Sequence, residues 1–249
     1  MSDPVARLRM FAGPNGSGKT TVKTALGKPP AWFGLYINPD DLERTIRDLG
    51  HLPLSSLDLD ATTAEVREHF RGSAFLKSRG LMGPIDAIAC RDHAIDFQGL
   101  SFTSYHASVL SDFLLQKALR DRRSFTFETV MSAPDEIEVL KKARRCGFRT
   151  YLYFFATEDP AINIRRVQNR VAGGGHDVPA EKIVARYHRC LKLLPEAVRH
   201  TSRAYFFDTS AEQAWYFAEA TDGRSLELKS DRIPRWFEPV WDRLGTCGR

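Results

Sequence analysis

Cysteine is scarce in this chain: Cys90, Cys146, Cys190 and Cys247 are four in 249 residues, and no two form a C-x-x-C pair. Such scatter excludes a disulfide framework and a cysteine-based metal site, and it fits reduced thiols. Long apolar runs are absent too. None approaches the ~20 residues that a membrane-spanning helix needs. The N-terminus enters its first strand-like run without a signal-like apolar segment, so a cytoplasmic location is expected. Internal repeats, low-complexity stretches and linkers are missing, which predicts one domain over residues 1–249. Neither an N-K-x-D motif nor an L-S-G-G-Q motif occurs, which argues against GTPases and ABC-type ATPases. No segment interleaves aromatic and basic residues for base stacking. The net charge of +5 suits an anionic partner. Nucleoside phosphates meet that requirement as well as nucleic acid does.

What is present starts with Gly13 to Thr21, GPNGSGKTT. Gly13, Gly18, Lys19 and Thr20 fit the phosphate-binding loop G-x-x-x-x-G-K-[ST]. Glycines let backbone N–H groups turn inward around phosphate oxygens. The whole run Gly13, Pro14, Asn15, Gly16, Ser17, Gly18, Lys19, Thr20 and Thr21 is therefore the expected ATP site. Lys19 would reach the β- and γ-phosphates, and the Thr20 hydroxyl would sit on Mg²⁺. A strand over Ala6–Ala12 and a helix over Thr20–Leu26 supply the context that a chance match lacks.

A second strand is expected at Phe33–Ile37, followed by a helix that Pro39 opens. In a parallel sheet, ligands lie beyond the carboxyl ends of the strands. Asn38, Asp40 and Asp41 are therefore candidates, with a plain helix cap as the alternative that suits Asp41 better. From about His51 to Asp121 helical patterns follow one another, at Thr62–Phe70, Pro84–Phe97 and Ser104–Arg120. The pattern reads as a helical insertion forming a wall of the acceptor site. Lys77, Arg79, Arg91 and His93 are candidates there, or simply solvated side chains. A third strand, Ser124–Glu128, ends in Glu128 and Thr129, and a buried carboxylate at a strand tip needs a partner.

Phe148–Ala156 is nearly continuous in apolar residues, as a central parallel strand is. A helix over Ile162–Val171 carries Arg165, Arg166 and Arg170, followed by Gly173-Gly174-Gly175-His176 and a helix from Pro179 to about His200. Helix, glycine turn and helix with arginines describe a lid over phosphates, residues 162–200, or else an exposed helical hairpin. Arg203–Phe207 is a strand, and Asp222-Gly223 marks a C-terminal hairpin. The expected class is α/β: a three-layer P-loop NTPase/kinase fold with a mostly parallel central sheet, a helical insertion and a C-terminal β-hairpin.

GPNGSGKTT, INPDDL, FTFETVMS and RRVQNRVAGGGHDVP followed by Arg186-Tyr187 resemble, in order and spacing, the zeta toxin family of P-loop kinases. The resemblance implies an ATP-dependent transfer of phosphate to a sugar hydroxyl of UDP-N-acetylglucosamine, and a separate antitoxin partner. It assigns ATP and Mg²⁺ to Lys19 and Thr20, proton acceptance to Asp40, and the acceptor side to Glu128; Asn38 and Thr129, at the ends of their strands, are the further acceptor-site candidates. Arg166 matches a lid arginine, and Arg170, Arg186 or His176 is left to supply the second lid charge. The remaining alternatives are a regulatory NTPase, a catalytically dead binding module, and a kinase acting on a nucleic acid or another metabolite.

Overall fold

The computed structural model describes residues 5–174 and 177–245; Gly175, His176 and Cys247 lie outside the described residues. In chain order the elements begin β1 (Arg7–Ala12), α1 (Lys19–Ala25), α2 (Pro30–Phe33), β2 (Leu35–Ile37), α3 (Pro39–Leu49) and β3 (His51–Pro53). They continue α4 (Thr63–Gly72), α5 (Ala74–Ser78), β4 (Ala89–Arg91), β5 (Ala94–Asp96), α6 (Ser104–Arg120), β6 (Phe125–Thr129) and α7 (Asp135–Arg145). The last are β7 (Arg149–Ala156), α8 (Pro160–Ala172), α9 (Ala180–Arg199), β8 (Arg203–Asp208), β9 (Trp215–Thr221), β10 (Ser225–Leu228) and α10 (Glu238–Gly245). The chain divides into two compact units, Met1–Phe33 with Thr126–Arg249, and Gly34–Phe125.

In the first unit the sheet runs β10-β9-β8-β7-β1-β6. β7 pairs in parallel with β1 and with β8, whereas β9 runs antiparallel to both β8 and β10. The apolar run RTYLYFFA predicts the central place of β7, because a strand covered on both faces must be apolar on both. Its residues Leu152–Ala156 are all buried. Strand alternation sends Phe154, Phe206 and Phe217 to one face, where Trp236 and Phe237 pack on them. Phe11, Tyr153 and Phe155 go to the other face, under Val22 of α1, with Trp32 and Phe33 of α2 alongside. This is a mostly parallel sheet between helical layers, as the sequence predicts. The hairpin forms at the expected place: Asp222 and Gly223 take left-handed φ of 51° and 65° in the three-residue connection between the paired Thr221 and Ser225.

In the second unit α3 is capped by Asn38, whose side chain accepts from the Asp40 N–H at 2.9 Å. Thr62 and Glu65 close a reciprocal capping box at the start of α4. Helices α4 and α6 match the expected spans at Thr62–Phe70 and Ser104–Arg120. The expected helix at Pro84–Phe97 is corrected. Residues 85–87 form one 3₁₀ turn, and β3, β5 and β4 make a three-stranded antiparallel sheet. Asp92 and His93 both adopt left-handed φ, 48° and 55°, which turns the chain back on itself in two residues. The spacing of Ile85, Ile88 and Ala89 imitates a helical stripe, but the turn decides the outcome.

His106 of α6 is 2 % exposed and closes the entry to that helix. Its Nδ1 accepts from the Thr103 N–H at 3.2 Å, which leaves Nε2–H to donate to the Leu81 carbonyl at 3.1 Å. Burial holds its pKa below the ordinary histidine value, against the opposing pull of the Leu81 carbonyl. The neutral ring is thus the stabilising form. That stability is complete above the unfolded pKa of about 6.5 and is lost as pH falls through the folded pKa. His106→Leu should melt below wild type at pH 7, and the gap should narrow as the pH is lowered to 5. A gap independent of pH in paired melting curves would contradict this.

Candidate nucleotide site

The loop between β1 and α1 is held by close backbone approaches that only glycine allows. Gly13, at φ 151°, has no room for a Cβ, which would collide with the Phe155 carbonyl. At Gly16, with φ 74°, a Cβ would lie 2.5 Å from the Asn163 carbonyl of α8. Gly18 caps α1 in the left-handed region, at φ 75°, with no side-chain cap hydrogen bond and no acidic residue in the first turn of that helix. Lys19 Nζ donates to the carbonyls of Gly13 at 2.6 Å and Pro14 at 3.0 Å, which keeps the ammonium at the loop. Ser17 Oγ is buried and has no hydrogen-bond partner among the described residues. A glycine-lined cradle, an ammonium at its rim and an unsatisfied hydroxyl fit the phosphates of a nucleotide.

A polar clamp holds the loop from behind. Asn163 donates through Nδ2 to the Asn15 carbonyl at 2.7 Å and accepts the Thr157 hydroxyl on Oδ1. Tyr187 of α9 donates to the Thr157 carbonyl at 2.6 Å. Burial, first, and the nearby acids raise the pKa of its phenol, so it stays a donor. Thr209, just past β8, donates to the Ser17 carbonyl at 2.9 Å and the Ala156 carbonyl at 3.0 Å. Asn163, Thr157 and Thr209 are each at most 4 % exposed. Sequence reasoning missed this clamp. The available signal was a polar residue at position 163, four before the buried Val167 on the apolar stripe of α8.

Glu128, 7 % exposed at the end of β6, accepts from the Thr20 hydroxyl at 3.2 Å and lies 3.8 Å from Lys23. The strand-tip carboxylate thus has a hydroxyl and an ammonium as partners. Its pairing with Thr20 gives two oxygen ligands of the kind Mg²⁺ takes. Among the described residues no cluster of three or more His, Cys, Asp or Glu could hold a metal. Thr129 serves the loop through its backbone, accepting the Gly13 N–H at 3.3 Å. Its hydroxyl donates to Glu136, whose carboxylate also takes the N–H groups of Met131 and Ala133. Burial raises the pKa of Glu136; those N–H groups and Arg186 oppose the rise.

The arginines separate. Arg186 of α9 donates to the Asn15 side chain at 3.0 Å, on the loop itself. Arg166 of α8 donates to the Ala211 carbonyl at 3.2 Å, in the segment after β8. Arg170 is exposed one turn further along α8. Of the other expected site residues, Asn38 and the exposed Asp40 belong to the second unit, Asn38 as the cap described above. Asp41 pairs with Arg44. In the same unit the Arg79 guanidinium lies 4.5 Å and 4.9 Å from the ring centres of Tyr105 and Phe75, and His93 is 3.8 Å from Asp60. Lys77 and Arg91 are exposed.

The chain matches no protein-family model. It is 28 % identical over 74 residues to an uncharacterised protein of Haemophilus influenzae, a match covering 30 % of this chain and 53 % of that one. Among solved structures it resembles AvrRxo1-ORF1:AvrRxo1-ORF2 with ATP, at a TM-score of 0.54 and 14 % identity, covering 91 % of this chain and 61 % of the other. The same complex with sulphate ions gives 0.53 and 12 %, covering 97 % and 64 %. A chain of the PezAT chromosomal toxin-antitoxin system of Streptococcus pneumoniae gives 0.50 and 14 %, covering 100 % and 80 %. The chain spans about half of the Haemophilus protein and less than two thirds of the AvrRxo1 chains. At these identities the likeness is one of fold alone. Among the described residues no helix is long and apolar enough to cross a membrane.

If Asn163 sets the loop, Asn163→Ala should cost about 1–3 kcal/mol by leaving the Thr157 hydroxyl and Asn15 carbonyl unpaired. Affinity for ATP should fall with it. Denaturant unfolding and calorimetric titration on the one variant check both, and unchanged ATP affinity would separate the clamp from the site.

Proposed function

We propose that this chain is an ATP-dependent phosphotransferase that moves the γ-phosphate of ATP onto a hydroxyl of a small molecule. The observation that carries the proposal is the grouping of Lys19, the Thr20–Glu128 pair and Arg186 around one glycine loop. Phosphoryl transfer needs positioning and charge neutralisation more than covalent chemistry. In the reaction the acceptor oxygen bonds to the γ-phosphorus, the bond to the bridging oxygen breaks, and ADP leaves. Lys19 exchanges its two carbonyl acceptors for phosphate oxygens, which are charged and bind an ammonium more strongly. Thr20, with Glu128 beside it, would hold Mg²⁺, which would supply further neutralisation of the phosphate charge. Asp40 receives the proton of the acceptor hydroxyl. An ionised carboxylate suffices, since proton removal is late in a loose transition state.

Arg186 is the better candidate for the transferring phosphate, because it already bonds to the loop, whereas Arg166 is engaged at Ala211. Arg170 remains a second lid charge. The proposed acceptor is a nucleotide sugar such as UDP-N-acetylglucosamine, met by Asn38, Glu128 and Thr129. A cytoplasmic location and an antitoxin-like protein partner complete the proposal. The fold is shared with proteins whose structures describe two-component assemblies, AvrRxo1-ORF1:AvrRxo1-ORF2 and PezAT.

Incubating the protein and ATP with a pool of nucleotide sugars and other metabolites should add one phosphate to one of them by mass spectrometry. ATP hydrolysis with no phosphorylated metabolite would favour a plain NTPase, and phosphorylated oligonucleotide would favour a nucleic-acid kinase. Lys19→Ala should abolish transfer without unfolding the protein. Asp40→Asn should keep ATP affinity and lose at least about a hundredfold in transfer rate. Asn38 already caps α3, so an active variant would leave Asp40 only as an acid in the first turn of that helix.

The two arginines make a separate prediction. Arg186→Ala should lower kcat by roughly 10²–10³-fold, the range for one lost stabilising donor. Arg166→Ala should act mainly on KM for ATP. The reverse pattern in steady-state kinetics would return the phosphate role to Arg166.

A further inference from the structure

Glu136 stands in the first turn of α7, and its carboxylate does more than a helix-start acid does. Such an acid reaches back to one N–H group at the helix entrance. Glu136 makes that bond, taking the Ala133 N–H on Oε2 at 2.9 Å. Two further donors lie upstream, beyond the helix. The Thr129 hydroxyl and the Met131 N–H both donate to Oε1, the latter at 3.3 Å. The Ser132 N–H joins them. Three successive N–H groups and a hydroxyl thus close around one side chain, an anion nest filled from within.

The backbone bends to make this possible. Met131 is buried at a left-handed φ of 54°, which a residue other than glycine keeps only where its surroundings hold it there. The residues that follow supply little packing: Ala133, Pro134 and Asp135 are exposed, and Pro134 offers α7 no side-chain cap. Thr129 is fixed from both sides. Its hydroxyl donates to Glu136 and accepts the Met131 N–H at 3.0 Å. The carbonyl of the same residue accepts the N–H of Gly13, the first residue of the nucleotide loop, at 3.3 Å. That bond joins the end of β6 to the place where β1 gives way to the loop. Glu136 also feels Arg186, which bonds to Asn15 of the loop.

We propose that Glu136 is a positioning residue of the nucleotide site: by locking residues 129–133 around its carboxylate it fixes Thr129, and through Thr129 it fixes Gly13. It touches no phosphate in doing so. The inference rests on the nucleotide-binding part of the proposed function. Charge alone predicts the opposite effect. A carboxylate near a phosphate site repels the ligand, so neutralising it would tighten binding. Positioning predicts that neutralising it loosens binding, because a glutamine at 136 turns an N–H donor toward the N–H groups of the nest.

Two measurements on the full chain test this, calorimetric titration with ATP and amide hydrogen exchange by NMR. Glu136→Gln keeps the length of the side chain and removes the charge. Glu136→Asp keeps the charge but is too short to span Thr129 and Ala133 together. Both should bind ATP about tenfold more weakly than wild type. In both, the Gly13 and Met131 amides should exchange about tenfold faster, with the Leu152 and Phe154 amides of β7 little changed. Ile137→Val, which loosens α7 from its buried side, should leave ATP affinity and Gly13 exchange at the wild-type level. Equal or tighter ATP binding by Glu136→Gln, full affinity in Glu136→Asp, or the same loss in Ile137→Val would each overturn the proposal. Acceleration spread evenly over Gly13 and β7 would overturn it too, as a plain loss of stability. If wild type itself binds no ATP, the nucleotide reading fails, and Gly13 exchange still decides whether Glu136 holds the loop.

Discussion

The distance between two backbones governs the nucleotide loop. Gly16 lies against the carbonyl of Asn163, and the same residue's side chain reaches across to Asn15. A methyl group at position 16 would push α8 away, and a shorter side chain at 163 would leave the carbonyl of Asn15 unpaired. The loop and α8 are therefore fitted to one another through a glycine and an amide. The Thr157 hydroxyl and the Tyr187 phenol extend the fit to α9. Buried polar groups of this kind fix geometry because every member loses a partner if one of them moves.

The charges around the loop follow from that geometry. Arg186 reaches Asn15 because Tyr187, its neighbour on α9, is anchored behind the loop. Glu136 faces the same region, and its own loop N–H groups and Arg186 oppose the burial that favours its neutral form. Glu128 is the other acid, and it is held by the hydroxyl and the ammonium of α1. The loop is thus bordered by acids with defined partners and by cations that can be drawn toward a phosphate.

The parts legible in the sequence were those written locally. GPNGSGKTT is contiguous, and the bounds of α6, α8, α9, β7 and β8 were readable to within a few residues from apolar period, proline and glycine. The resemblance to zeta toxins is matched by a likeness in fold to chains of the PezAT and AvrRxo1-ORF1:AvrRxo1-ORF2 structures at 12–14 % identity. Non-local pairing was not legible. Nothing in Asn163 distinguishes a clamp from an ordinary helix asparagine until Gly16 is beside it. The strands at Ala89–Arg91 and Ala94–Asp96 are three residues each, too short for alternation to outweigh a helix-like spacing. Polar Arg9 in β1 is buried along with its apolar neighbours, which the sequence of the strand alone does not show.

Connectivity explains why one end of the sheet is less covered than the other. A parallel strand must be reached by a crossover, and the crossover lays a helix on the sheet. After β8 the chain turns back twice, through β9 and β10, and each antiparallel step needs only a short connection. No crossover is owed over those strands, so Tyr205, Phe207 and Tyr216 keep part of their surface. The tight turn at Asp222-Gly223, set against the Arg199 backbone, is what lets the chain end its sheet this way. A change of strand direction thereby leaves on the molecule a strip of sheet that its own helices have no topological reason to roof.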